Sequence, residues 1–231
     1  MTYRALATDY DGTIAHDGVV DEITIDALRR ARAAGVQLVL VTGRELYGLA
    51  GAFTHADVFD LLVLENGAVL YDPSTRAMQV LAEPAPPALI EALERAQMPL
   101  SVGHSIVATV RPHEDAVLKA IRDLRLDWHV IFNKTSVTAL PSDVTKASGL
   151  AVALRRLEVA PFEVVGVGDA ENDQPFLRVC GLSVAVSNAL DEVKASADLT
   201  TAGAQGAGVR ELIARLISGE LPPSPRAPAG S

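Results

Sequence analysis

The 231-residue sequence has one cysteine, few aromatic residues and no apolar run long enough to span a membrane. The single cysteine, Cys180, excludes an intramolecular disulfide framework and is typical of a reducing compartment. Lysine and arginine do not cluster, and the formal net charge of −9 disfavours nucleic acid or an anionic membrane as a partner. An acidic protein can still bind a small phosphorylated molecule at a locally positive site. Because no export leader is recognisable, we expect the chain to act in the cytoplasm.

Buried strands and amphipathic helices alternate in the first part of the chain. Residues 3–8 are expected to form a strand, and residues 36–41 are an apolar run with β-branched residues, as expected for a strand covered on both faces. Asp21 is suited to cap the helix between them. The same alternation returns after Pro141 and ends in a helix within GVRELIARLI. The pattern predicts an α/β fold with a Rossmann-like parallel sheet.

The pattern changes in the middle of the chain and again at its end. Three prolines follow residue 83, and WHVIFN and SVTAL are alternating runs that we expect to pair as antiparallel strands. We therefore expect residues 82–140 to form a small inserted α+β domain. Residues 1–81 and 141–217 would form the core. Residues 218–231 are rich in proline, alanine and serine, and we expect a disordered tail there.

Polar side chains recur where predicted strands end or neighbouring helices begin, which is the edge where open α/β sheets bind ligands. The segments concerned are DYDGT (9–13), TGR (42–44), SDVTKASGL (142–150) and GDAEND (168–173). Asp9 and Asp11 are one residue apart and repel each other unless a cation lies in front of them. Carboxylate oxygens are ligands that Mg²⁺ prefers. The combination predicts a site for a divalent cation and a phosphate group.

Each segment alone also has an ordinary structural explanation. Asp11 and Gly12 after a strand are typical of a turn, Thr42 is a common helix cap, and a single lysine is usually exposed. The acids of GDAEND are harder to explain by packing, because the apolar strand before them leads to the ligand-binding edge. The order of the segments favours a functional site over separate structural roles.

The segments match, in order, the motifs of the haloacid dehalogenase superfamily of phosphohydrolases, which are DxDG[TV], a Ser or Thr after a second strand, a Lys, and GDxxND. The position of the insert and the stretch LENGAVLYD (64–72) resemble the Cof-like subclass. That subclass includes phosphoglycolate phosphatases of archaeal type, sucrose-phosphate and trehalose-phosphate phosphatases, and phosphomannomutases. The resemblance covers residues 1 to about 217 and implies a Rossmann-like core with an inserted cap.

The resemblance also implies roles for individual residues. Asp9 would be the nucleophile that forms an aspartyl-phosphate, and Asp11 would be the general acid and base. The substrate-binding residues would be Thr42, Gly43, Lys146 and Asn172. Mg²⁺ would be the cofactor, bound by Asp9, Asp11 through its backbone carbonyl, Asp169 and, directly or through water, Asp173.

The cap would close over the phosphate and recognise the leaving group. Its polar candidates are His104, Arg111, His129, Asn133, Lys134 and Ser136, although any one of them could simply face solvent. Arg44 has two candidate partners, Glu45 and Glu65, and the sequence does not decide between them. We expect Trp128 to lie in the core of the insert and Cys180 to be buried.

The leading hypothesis is a Mg²⁺-dependent phosphatase of a small phosphorylated metabolite, of the sugar phosphate or phosphoglycolate type. A phosphomutase-like phosphotransferase is the first alternative. A catalytically retired domain that binds a phosphorylated ligand is the second, and the presence of both motif aspartates disfavours it. The substrate and the oligomeric state stay open, although self-association could shield the cleft.

Overall fold

A computed structural model describes residues 3–133 and 135–227. Within these ranges the chain forms two β-sheets, and two separate clusters of buried apolar side chains accompany them. None of the helices in the described ranges has both the length and the apolar character needed to cross a bilayer.

The strands are β1 (Ala5–Thr8), β2 (Gln37–Val41), β3 (Leu61–Leu64), β4 (Val69–Asp72), β5 (Ala77–Val80), β6 (Ser101–Val102), β7 (Val107–Val110), β8 (Trp128–Asn133), β9 (Ser136–Pro141), β10 (Val164–Gly168), β11 (Leu182–Ala185) and β12 (Leu199–Thr200). The helices are α1 (Glu22–Ala33), α2 (Leu46–Ala52), α3 (Pro87–Arg95), α4 (Glu114–Asp123), α5 (Lys146–Leu157), α6 (Gln174–Val179), α7 (Asp191–Ser196) and α8 (Gln205–Ser218).

The larger sheet has the strand order β12-β11-β10-β1-β2-β3-β4-β5. Strands β12 to β3 are parallel, and β4 and β5 form an antiparallel hairpin at one edge. The central strands β1 and β10 are buried at every residue, which explains their continuous apolar sequence. The predicted α/β fold with a parallel sheet is therefore confirmed.

A local signal marks the start of α1, whereas the start of the helix after β2 differs from the sequence expectation. Asp21 caps α1, because its Oδ1 accepts the backbone N–H of Thr24 at 2.7 Å. The helix after β2 begins only at Leu46, with Glu45 at its N-cap. The expectation that Thr42–Arg44 opens this helix is wrong, so these residues form a loop between the strand and the helix.

The smaller sheet, called the cap sheet, has the antiparallel order β6-β7-β9-β8. The predicted pairing of WHVIFN with SVTAL is the β8–β9 pair. Apolar residues of α3 and α4 pack on one face of this sheet and form the second hydrophobic cluster. These features support an inserted domain over residues 82–140, although Ile106 and Leu140 pack in the core cluster. The domain boundaries stay a prediction.

Residues that follow α8 contact the core. The Tyr3 hydroxyl donates to the carbonyl of Pro222 at 2.8 Å, and Arg226 donates to the Asp198 carboxylate at 2.6 Å. Leu221 packs against the core cluster. These contacts differ from the disorder expected for residues 218–231, of which 228–231 lie outside the described ranges.

The packing of α5 on the sheet yields a stability prediction. A Cβ added at Gly149 would lie 2.5 Å from Val63 Cγ1 and 2.6 Å from Gly67 Cα. Alanine normally stabilises a helix interior by about 1 kcal/mol relative to glycine. We expect Gly149→Ala instead to lower the free energy of unfolding by about 1–3 kcal/mol, because the close packing has no room for a methyl group.

Urea unfolding followed by circular dichroism measures this effect. Gly48→Ala in α2 is the matched control, because within the described residues no atom outside its own helix backbone and chain neighbours lies within 4 Å of an added Cβ. The control should be as stable as the wild type or more stable. Equal effects of the two substitutions would contradict the close packing of α5.

Candidate active site

The C-terminal ends of β1, β2 and β10 and the start of α5 meet at one cavity of about 270 Å³ between the two sheets. The core contributes Asp9, Asp11, Thr42, Gly43, Arg44, Glu45, Asn66, Lys146 and Asn172 to its wall. The cap sheet and the residue before β7 contribute Ile106, Ala108, Ile131, Asn133, Ser136 and Thr138. All of the sequence segments singled out for chemistry therefore converge here.

The Lys146 ammonium lies between two buried carboxylates. Its Nζ is 2.5 Å from Asp9 Oδ1 and 2.5 Å from Asp173 Oδ1. Lys146 is the first residue of α5, and Thr145 forms a capping box with Ser148 that fixes the helix start. The three groups are nearly inaccessible to solvent, so each charge depends on the others for stabilisation.

The electrostatics of this cluster favour a positive charge beside Asp9. Burial, followed by the charge of Asp173, raises the pKa of Asp9 above its ordinary range, and the charge of Lys146 acts in the opposite direction. Burial lowers the pKa of Lys146, but the charges of Asp173 and Asp9 outweigh it and keep the lysine protonated. A divalent cation against Asp9 would favour the ionised carboxylate further.

The carboxylates could hold such a cation. One oxygen each of Asp9, Asp169 and Asp173 lie within 4.8 Å of one another, and this set of hard oxygen donors fits Mg²⁺ or a similar ion. Gly12 makes room for Asp169, because a Cβ there would lie 2.2 Å from Asp169 Oδ2. The Thr13 hydroxyl donates to Asp169 Oδ1 at 3.1 Å and orients this carboxylate.

Asp173 is engaged on both of its oxygens. Oδ1 contacts Lys146, and Oδ2 accepts the backbone N–H groups of Asp169 and Ala170 at 2.9 and 3.0 Å. These bonds shape the loop that carries Asp169 and hold Lys146 in place. Of the two roles that the sequence leaves open for Asp173, they favour indirect support of a metal over direct binding.

The Arg44 guanidinium pairs with the Asp11 carboxylate, and not with either carboxylate considered from the sequence. Its Nε and one terminal nitrogen each lie 2.7 Å from an Asp11 carboxylate oxygen, a bidentate pair. The guanidinium also lies over the Tyr10 ring, 4.9 Å from its centroid. Neither Glu45 nor Glu65 is its partner. The pair holds the Asp11 carboxylate at the cavity wall, where it is about 30% exposed.

Thr42, Gly43 and Asn172 line the core side of the cavity, and the described cap-sheet residues in its wall are uncharged. The Thr42 hydroxyl accepts the Arg44 N–H at 3.2 Å. Asn66 lies against Gly43, and its Oδ1 accepts a hydrogen bond from Asn172 at 3.3 Å. Together with Lys146, these hydroxyl, amide and ammonium groups can bind the oxygens of an anion.

The polar candidates of the insert divide into two groups. Asn133 and Ser136 line the cavity. His104, Arg111 and His129 are not among its described lining residues. His104 contacts Glu65, and Arg111 pairs with Glu114 and packs on Phe132. His129 is partly buried, and this burial lowers its pKa. Lys134 lies outside the described residues.

Several cavity residues are not apparent from sequence motifs. Ala108, Thr138 and Ile131 form one row across β7, β9 and β8. Their neighbours along the strands, such as Val107 and Val137, point to the opposite face and pack in the second cluster. Strand alternation could therefore have identified this row, once the side covered by α3 and α4 is known.

A sequence profile described as haloacid dehalogenase-like hydrolase matches residues 6–104 and 130–213, most of the chain. The chain belongs to the haloacid dehalogenase-like hydrolases. This membership confirms the resemblance inferred from the sequence motifs.

Relatives of this hydrolase match more than nine-tenths of its length. A phosphoglycolate phosphatase of Methanothermobacter thermautotrophicus is 31% identical over 220 residues, which cover 93% of this chain and 99% of that protein. A haloacid dehalogenase-like hydrolase from Bacteroides thetaiotaomicron has a similar structure, with a TM-score of 0.79, 20% identity and coverage of 93% and 99%. A HAD subclass IIB sugar phosphatase gives a TM-score of 0.72 at 19% identity, with coverage of 94% and 100%. The two structures establish the shared fold.

The buried lysine of this hydrolase yields a pH-dependent stability prediction. Lys146→Met leaves Asp9 and Asp173 without their cation, and we expect a loss of about 3–5 kcal/mol in the free energy of unfolding at pH 8. Burial and the charge of Asp173 raise the pKa of Asp9 in the folded protein, so protonation of Asp9 at low pH relieves the repulsion. The loss should therefore be smaller at pH 5 than at pH 8.

Urea unfolding at both pH values, in the presence of a chelator, measures the difference. Lys119→Met is the control, because Lys119 forms an exposed pair with Asp123 on α4 and should contribute little at either pH. A loss for Lys146→Met that is the same at pH 5 and pH 8 would contradict the assigned electrostatics.

Proposed function

We propose that this hydrolase is a Mg²⁺-dependent phosphatase that hydrolyses a small phosphorylated metabolite through an aspartyl-phosphate on Asp9. The observation that carries the proposal is the position of Asp9 at the cavity, where its carboxylate contacts Lys146 and has an oxygen within 4.8 Å of one on Asp169. A relative that covers nearly the whole chain and is named phosphoglycolate phosphatase supports the same reaction class.

In the first step, an Asp9 carboxylate oxygen attacks the phosphorus atom and the bond from phosphorus to the ester oxygen breaks. Asp11, in its acid form, donates its proton to the leaving oxygen. Lys146, Thr42 and the amide groups near Gly43 stabilise the charge on the phosphoryl oxygens. The pair with Arg44 engages both Asp11 carboxylate oxygens, so one of these two contacts opens when Asp11 carries the proton.

In the second step, the Asp11 carboxylate takes a proton from water while the water oxygen attacks phosphorus. The bond between phosphorus and Asp9 breaks, and inorganic phosphate leaves. Mg²⁺, bound by Asp9, the Asp11 carbonyl and Asp169 with support from Asp173, supplies charge neutralisation when present. Lys146 offsets the charge of the Asp9 carboxylate before the attack and holds this residue in position.

The cavity supports a small, polar leaving group. Its volume of about 270 Å³ lies at the lower end of the range for small-molecule sites. The described cap-sheet residues in its wall are uncharged, and Asn133, Ser136 and Thr138 offer hydrogen bonds. A sugar phosphate or phosphoglycolate meets these conditions. The proposal places the reaction in the cytoplasm, in agreement with the free thiol of the buried Cys180.

Substitution of the nucleophile separates turnover from folding. We expect Asp9→Asn to lower the rate of phosphate release by about a thousandfold or more, because an amide does not form the covalent intermediate. The fold should persist, since the substitution removes a buried charge and preserves the side-chain volume. Steady-state kinetics and thermal unfolding measure the two effects.

Asp72→Asn is the matched control for this substitution. Asp72 is another largely buried carboxylate, but it pairs with Arg156 at 2.8 Å and does not line the cavity. The control should retain turnover and lose some stability. Undiminished turnover by Asp9→Asn would remove Asp9 as the nucleophile.

Metal dependence and reaction type can be tested together. We expect phosphate release from p-nitrophenyl phosphate and from a panel of phosphorylated metabolites with Mg²⁺, and none with a chelator. Mg²⁺ should also raise the melting temperature of the wild type but not of Asp169→Asn. Phosphate transfer to a sugar hydroxyl without release of phosphate would instead identify a phosphomutase.

A further inference from the structure

The turn between β3 and β4 has a left-handed backbone at consecutive residues. The φ angle is +51° at Glu65, +54° at Asn66 and +112° at Gly67. Left-handed conformations of residues other than glycine are uncommon and cost about 1 kcal/mol or more each. Two such residues in succession require contacts that stabilise the turn, and those contacts indicate what it positions.

The backbone of the turn is fixed to the loop that lines the phosphate side of the cavity. The Glu65 N–H donates to the Arg44 carbonyl at 3.1 Å, and the Asn66 N–H donates to the Thr42 carbonyl at 3.0 Å. The Asn66 side chain contacts Gly43 and Asn172. The turn is therefore part of the rigid core beside the predicted phosphate-binding residues.

The Glu65 side chain, in contrast, contacts the insert. Its carboxylate is 1% exposed and accepts three hydrogen bonds: from the His104 backbone N–H at 3.1 Å, from His104 Nδ1 at 2.8 Å and from the Ser105 N–H at 3.1 Å. These donors belong to one segment, Gly103–Ser105, here called the clamp loop. A buried carboxylate is costly without such donors, so the contact strongly favours a docked clamp loop.

The clamp loop leads directly into the cavity wall. Ile106 follows it and packs in the core cluster, and Ala108 lies two residues further along on β7. Both side chains line the cavity. The Ser105 hydroxyl also donates to the carbonyl of Ala82 at 2.8 Å, where the chain enters the predicted insert. A shift of the clamp loop would therefore shift the wall opposite the phosphate-binding residues.

We infer that Glu65 is a positioning residue, which holds the cavity wall at Ile106 and Ala108 in a fixed position relative to the predicted phosphate-binding residues. Glu65 does not line the cavity, so it acts through the clamp loop rather than by touching substrate. No motif of the catalytic core assigns it this role. The inference goes beyond the proposed function, on which only its kinetic test rests.

Hydrogen exchange tests the contact without reference to activity. Glu65→Gln replaces one carboxylate oxygen by an amide NH₂, which cannot accept a hydrogen bond, so at least one backbone N–H of His104 or Ser105 loses its acceptor. We expect amides of residues 103–106 to exchange about tenfold faster or more in this variant, because a hydrogen bond to a charged acceptor is lost. Exchange in the central strands β1 and β10 should not change.

Glu211→Gln is the matched control. Glu211 also accepts two backbone N–H groups, those of Ala202 and Gly203, at 2.9 and 3.2 Å. Its substitution should accelerate exchange at residues 202–203 and leave residues 103–106 unchanged. If Glu65→Gln fails to fold, His104→Ala removes one donor from a side chain that is 40% exposed and serves in its place.

Kinetics test whether the contact positions the wall. For Glu65→Gln we expect the KM for p-nitrophenyl phosphate to rise about tenfold, because its aromatic leaving group lies under the displaced wall. The inhibition constant of inorganic phosphate, which contacts the core alone, should change less than about twofold. His104→Asn keeps a donor near Glu65 and should remain closer to the wild type than His104→Ala.

The outcomes separate the two proposals. Unchanged exchange at residues 103–106 in Glu65→Gln would overturn the clamp. Faster exchange with unchanged KM, or equal changes in KM and in the phosphate inhibition constant, would overturn the positioning role. A wild type that hydrolyses no phosphate ester would remove the proposed function, while the exchange result would still decide whether Glu65 holds the clamp loop.

Discussion

The Lys146 ammonium between the buried carboxylates of Asp9 and Asp173 is the interaction on which the site depends. Without a cation there, the folded chain would bring together acids that repel each other and have lost their hydration. Two features of the core position Lys146 for this contact. The capping box at Thr145 fixes the start of α5, and the close approach of Gly149 to Gly67 packs the helix against the sheet. The same cation offsets the charge of Asp9, the proposed nucleophile, so that less negative charge is left for a metal to neutralise when an anionic phosphate binds.

The two sheets contribute different kinds of side chain to the cavity wall. The parallel sheet supplies the charged groups from its strand ends, where chemistry on a phosphate requires them. The cap sheet supplies neutral side chains, and the row formed by Ala108, Thr138 and Ile131 faces the core because α3 and α4 cover the other side. Glu65 connects the two parts, since its backbone is hydrogen-bonded to the loop of residues 42–44 and its carboxylate to the clamp loop.

The sequence predicts those features that local chemistry determines. Apolar runs identify the central strands, Asp21 marks the start of α1, and the spacing of the acidic segments indicates which loops meet at the sheet edge. It does not predict features that depend on distant packing. The partner of Arg44 is Asp11 because the two loops lie side by side, and the left-handed backbone at Glu65 carries that carboxylate toward the insert. Neither relation has a signature in the neighbouring residues.

The central claim is that Asp9 accepts the phosphoryl group beside Lys146 and a divalent cation. A crystal structure with Mg²⁺ and beryllofluoride, which mimics an aspartyl-phosphate, tests it most directly. The account predicts beryllofluoride attached to the Asp9 carboxylate, Mg²⁺ in contact with Asp9 and Asp169, and Lys146 Nζ within hydrogen-bond distance of a fluoride. Beryllofluoride attached elsewhere, or Mg²⁺ bound away from Asp169, would contradict it.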